Sequence, residues 1–137
     1  MRSVYDGIKN IQAVDPIAAS AAQTSDAIDT MGFNSGVVVV TNGAATGTPD
    51  SYTVNAKVTE CDTSDGQFTD VTGAAITEIT ADGKIANIRL EGLGTSIERY
   101  IKVVVTPALT GGTTPKALVG ATVHLGRAYT EPVGNEQ

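Results

Sequence analysis

His124 is the only histidine in the chain, so a triad or general base working near neutral pH would have to be built on it. Alternation along "LVGATVHL" puts His124 on the strand face opposite Val123 and Leu125. The nearest approach to a nucleophile elbow, "GFNSG" at Gly32–Gly36, has its serine one place too late. Nucleophile, base and orienting group do not come together, which predicts a structural or surface role for His124 and no enzymatic activity. Cys61 is the only cysteine, so an intramolecular disulfide is excluded, and a thiolate nucleophile would again need His124. In a strand it reads as a small buried hydrophobe.

Other strings test for ligands and fail. "ECDTSDGQFTD" gathers Glu60, Asp62, Asp65 and Asp70, the residue type that hard cations favour. Aligning Gly66 with the glycine of a calcium loop puts Cys61 at the first ligand position and Thr72 at the last. The acids therefore read as solvated turn formers. "EGLGTSI" at Glu91–Ile97 starts like a dinucleotide fingerprint, but Ile97 stands where the third glycine belongs and no helix follows. "GTTPK" ends in Lys116 with Pro115 before it and Ala117 after it, which breaks the phosphate-loop pattern. No metal and no cofactor are expected. The aromatics Tyr5, Phe33, Tyr52, Phe68, Tyr100 and Tyr129 are scattered and Trp is absent, so no sugar-stacking platform is visible.

The elements that would carry any site are strands. Tyr52, Val54, Ala56 and Val58 alternate with Thr53, Asn55, Lys57 and Thr59, which makes one face dry and the other wet. Val119, Ala121, Val123 and Leu125 repeat that logic, as do Ala86, Ile88 and Leu90. "VVVV" at Val37–Val40 is apolar on both faces, as in a central strand or one covered by a partner. "PIAASAAQTSDAID" is Ala-rich, yet Pro16 and the Thr-Ser-Asp cluster break any helical stripe, so it reads as extended. "IERYIKVV" has helical spacing at Ile97, Tyr100, Ile101 and Val104, but its β-branched continuation favours a strand. Turn signals at "TNG", "TPD", "SDG", "ADG" and "TGGTTP" separate the strands, with Asn-Gly and Asp-Gly offering positive φ for tight hairpins. The pattern predicts an all-β, antiparallel β-sandwich of jelly-roll or Ig-like type with an extended N-terminal arm. "VVVVTNGAATGTPD" from Val37 and "VVVTPALTGGTTPK" from Val103 nearly repeat each other. Both spell strand, Thr/Gly/Pro loop, strand, which a small β alphabet produces by chance.

The bulk numbers agree. The 137 residues fit one domain, and 41% hydrophobic with 18% charged residues is too apolar for disorder. No apolar run reaches the ~20 residues of a membrane helix. A net charge of −6 disfavours nucleic acid and keeps many copies soluble. Asp6, Lys9, Asp15 and Pro16 interrupt any apolar segment of an export signal, so a protein made and folded in the cytoplasm is expected. Three regions follow: residues 1–15 as an arm or first edge strand, 16–129 as the sandwich, and 130–137 as a loose polar tail. The first region differs in kind. Val4, Tyr5, Ile8 and Ile11 are apolar beside Arg2 and Lys9, on an acidic body, and their spacing suits either an amphipathic turn or an edge strand. Such an arm could dock on a partner or pack on its own domain.

"SVYDGIKNIQAVDP", "DAIDTMGFNSGVVVVTNGA", "DGQFTDVT" and "ERYIKVVVTP", in that order, resemble the capsid decoration proteins of tailed bacteriophages, also called cement or head-stabilisation proteins. The resemblance covers roughly residues 1–127 and rests on texture and order. It implies a virion protein on the capsid exterior that bridges subunits of the major capsid protein, acting as a dimer or trimer, with no nucleic-acid or membrane partner. Val4, Tyr5, Ile8 and Ile11 are then the expected capsid contact. A tail-tube or tail-tip protein and a carbohydrate-binding adhesion module are the alternatives.

Overall fold

The computed structural model describes residues 3–129, and its elements are almost all strands. A single helical turn, α1 (Val4–Gly7), precedes β1 (Lys9–Ala19), β2 (Gln23–Thr24), β3 (Ile28–Asp29), β4 (Phe33–Asn42), β5 (Ser51–Cys61), β6 (Thr69–Ala75), β7 (Ile85–Glu91), β8 (Tyr100–Thr110) and β9 (Ala117–Ala128). Two antiparallel sheets form. One has the order β1-β9-β4-β7; the other has β2-β8-β5-β6, with β3 also paired to β8. The fold is an antiparallel β-sandwich, as the alternation requires.

The dry faces meet between the sheets. Val38, Val40, Ile88, Leu90, Val123 and Leu125 of the four-stranded sheet are buried, against Val54, Val58, Ile101, Val103 and Val105 of the other. Leu93 and Ile97, from the loop after β7, are buried in the same cluster. That loop is the would-be fingerprint, folded into a tight turn in which Ser96 and Ile97 N–H groups donate to the Gly92 carbonyl. Among the described residues no helix is long and apolar enough to cross a membrane.

Several expectations change in detail. Residues 3–15 are a helical turn followed by an edge strand. Ser3 Oγ accepts from Asp6 N–H and so closes α1. From Lys9 onward the chain pairs with β9, and β1 runs through the boundary at residue 15 to Ala19. Residues 9–15 thus belong to the first edge strand. The Ala-rich segment is extended, with register shifts between Gln12 and Ile17 where Pro16 interrupts the ladder. Beyond it, Ser25 exchanges bonds with Val103 N–H and C=O and so lines the segment up beside β8. Only one of three predicted X-Gly turns uses positive φ: Gly83 has φ +69°, whereas Gly43 and Gly66 do not adopt it. Asn42 ends a strand with its side chain buried, which removes "TNG" from the hairpin turns. Residues 130–137 lie outside the described residues.

The two near-repeated loops meet. They follow strands of different sheets, β4 and β8, and touch at the same end of the sandwich. Thr46 and Lys116 form a bridge, and Thr113 N–H donates to the Gly47 carbonyl. Similar strings thus become opposed loops.

Tyr52 closes the same end. Its hydroxyl donates to Asp82 and accepts from Asn42 Nδ2 at 3.1 Å. Burial and then the Asp82 carboxylate push its pKa up to about 12. A phenol whose pKa is higher folded than unfolded binds its proton more tightly in the native state. Stability from this network is therefore full below pH 10 and lost as pH rises towards 12. Urea melts at pH 9 and pH 11.5 should show that loss, and Tyr52→Phe should flatten it; an unchanged slope in the variant would count against the assignment.

Candidate docking surface

The four residues expected to contact a partner are split by the fold. Val4 and Tyr5 stand out on α1, 66% and 65% exposed. Ile8 is half-buried over Gly126 of β9. Ile11 points the other way. It pairs with Val123, whose side chain is inside, and packs on the core. Strand alternation decides this, because α1 ends before Lys9 and the period changes from 3.6 to 2.

The structure adds two side chains to the exposed pair. Met31 is 68% exposed and Tyr129 65% exposed. Register places all four at one end of the four-stranded sheet. The start of β1 pairs with the end of β9, and the end of β9 pairs with the start of β4. Tyr129 N–H donates to the Gly32 carbonyl at 2.8 Å, and Asn34 Nδ2 donates to the Arg127 carbonyl at 3.0 Å. Lys9 and Arg127 are exposed at the same end, which also carries Asp6 on α1 and Glu91 at the end of β7, so the charges there balance. Met31 and Tyr129 escaped the sequence reading because neither lies on an alternating face. The available signal was a large apolar residue next to a glycine turn and another next to the polar tail.

The Met31 turn is held firmly. Arg99 clamps Asp29 with two bonds, Nε to Oδ1 at 2.9 Å and Nη2 to Oδ2 at 2.7 Å. Asp29 Oδ1 also accepts from Met31 N–H at 2.9 Å, and Thr30 Oγ1 donates to the Arg99 carbonyl. The Arg99 bonds hold the Asp29 carboxyl below its ordinary range, so the clamp is present at neutral pH and loosens as pH falls through the carboxylate range. The surface is presented by a braced frame.

The residues weighed for chemistry do not converge. His124 Nδ1 donates to Asn10 Oδ1 at 2.6 Å, and Nε2 lies 3.0 Å from Thr122 Oγ1, both uncharged partners on the outer face. The acids of "ECDTSDGQFTD" are dispersed. Asp70 pairs with Lys57 at 2.8 Å. Asp62 stands beside Cys61 and Glu98, with ligand atoms within 4.8 Å of one another. Burial, then the charge of Glu98, raises the Glu60 pKa. Cys61 is buried, as its strand position predicts.

No family model matches the chain, and no curated protein matches it. Solved structures share the fold. A chain in the structure of infectious bursal disease virus Gx strain aligns at TM-score 0.50 and 13% identity, over 90% of this chain and 34% of that one. The SPBc2 prophage-derived protein YomS aligns at TM-score 0.44 and 14% identity, over 86% of this chain and 93% of that one. The N-terminal modules of Clostridium thermocellum xylanase 10B, complexed with xylohexaose, align at TM-score 0.45 and 14% identity, over 96% of this chain and 28% of that one. At these identities the likeness is one of fold, and this chain spans about a third of the bursal disease virus chain.

Proposed function

We propose that the protein is a virion structural protein that binds the outer surface of a phage capsid and bridges major capsid subunits, without a catalytic step. The observation that carries this reading is that Val4, Tyr5, Met31 and Tyr129, four large side chains about two-thirds exposed, all lie at one end of the four-stranded sheet. Water-exposed apolar groups concentrated in one place fit an interface better than a free surface. The textural resemblance supplies the partner, and the fold shared with a virus chain is in keeping with it. Self-association as a dimer or trimer multiplies weak contacts on a symmetric lattice.

The test is co-sedimentation with capsids that lack the protein. Wild type should pellet with them. Val4→Asp with Tyr5→Asp should weaken binding tenfold or more, since burying one such side chain contributes about 1.5–3 kcal/mol. Neither residue belongs to the core, so the variant should still fold and unfold cooperatively. Wild type remaining in the supernatant would sink the reading.

A second reading gains from the same end. Tyr5 and Tyr129 are exposed aromatics on a sandwich, the type of side chain that stacks on sugar rings. Glycan binding lost on Tyr129→Ala, with no capsid binding, would favour a carbohydrate module.

A further inference from the structure

The valine run of β4 remains unexplained by the fold. Val38 and Val40 are buried, while Val37 and Val39 point outward, half-buried and outside the core cluster. The register defines what surrounds them. Across the outer face run Ile8, Gly126, Ser35 and Glu91; then Asn10, His124, Val37 and Arg89; then Gln12, Thr122, Val39 and Asn87; then Gly120, Thr41 and Ile85. These side chains are small or uncharged, except for Arg89 and Glu91 on the β7 edge, which cancel. Asp15, in the β1 bulge, is engaged by Gln12 Nε2 at 2.7 Å. A chain of net charge −6 thus leaves its outer four-stranded face with Asp15 as its one unbalanced charge.

We propose that this face packs against the same face of a second copy. The reasoning is threefold. Two copies of an acidic protein repel each other least through a sparsely charged surface, and this sheet provides one. Sheet faces pack on one another at the usual ~10 Å spacing, and a two-fold axis brings identical faces together. The face also carries both a projection and a depression. Ile85 is 65% exposed, and Gly120 floors a groove between Pro16, Ile17, Thr41 and Leu118. A face four strands wide covers roughly 500 Å² per copy by strand spacing and rise. The pair would bury about 1,000 Å², the threshold for a specific interface, which suits a reversible dimer. This rests on the self-association in the reading above and names its surface; capsid binding through Val4 and Tyr5 is assayed separately, so either can fail alone.

Sedimentation velocity from about 5 μM to 500 μM tests it. Wild type should pass from monomer to dimer across that range. Val39→Lys, with a charge at the centre of the face, should weaken dimerisation at least tenfold. Val104→Lys, on the outer face of the other sheet, should not. Methyl NMR of the wild type gives a second readout that needs no variant: the Val37 and Val39 signals should shift with concentration and the Val104 signals should not. A wild type monomeric throughout, a dimer indifferent to Val39→Lys, or shifts at Val104 instead would overturn the proposal.

Discussion

Replacing Asn42 by alanine is expected to lower the unfolding free energy by about 3 kcal/mol, because it leaves buried polar groups without partners. Asn42 is 8% exposed at the end of β4. Its Nδ2 donates to the Ala81 carbonyl at 3.0 Å and to the Tyr52 hydroxyl, and its Oδ1 accepts from Lys84 N–H at 2.8 Å. One side chain thus holds the turn that starts β7 and reaches Tyr52 in the opposite sheet. Asn42→Asp is nearly isosteric and should cost at least as much. A carboxylate still accepts from Lys84, but it cannot donate to Ala81, and it adds a negative charge near Asp82. Urea denaturation of both variants at pH 7 is the measurement. A loss under 1 kcal/mol in Asn42→Asp would show that water supplies the missing bonds.

Gly47→Ala should cost a comparable amount, about 3 kcal/mol, from a left-handed backbone combined with a collision against main chain. Gly47 has φ +79°, and a Cβ there would lie 2.4 Å from the Thr113 carbonyl oxygen, 2.7 Å from Pro115 Cα and 2.9 Å from the Thr114 carbonyl oxygen. None of these is a side chain able to swing away, so the two opposed loops must part. Gly83→Ala separates the two causes. Gly83 has φ +69°, but nothing lies within 4 Å of its added Cβ, so it should lose only about 1 kcal/mol. Equal losses in the two variants would mean that the loop contact contributes nothing.

Both sites show where local reading stops. Asn42–Gly43 has the composition of a hairpin turn, and a sequence window contains no more than that. The buried position of Asn42 follows from β7 and β5 closing on it, across separations of 42 and 10 residues. Gly47 was legible as a loop glycine, but its need to be glycine comes from a loop 66 residues away in sequence. The end that carries the exposed apolar side chains divides in the same way. Val4 and Tyr5 were visible as apolar residues in a polar neighbourhood. Ile11 was misplaced because the point at which a turn gives way to a strand is set by pairing with β9.

Alternation alone determined that the chain forms strands, which side of β5, β7 and β9 is dry, and that His124 faces outward. Those properties belong to consecutive residues, and a period of two is fixed by backbone geometry. Tertiary structure decided the strand order, the brace of Arg99 on Asp29 and the placing of Tyr5, Met31 and Tyr129 at one end of the four-stranded sheet. Each of these depends on which distant strands become neighbours, a choice made by burying apolar faces together and not by any local run of residues.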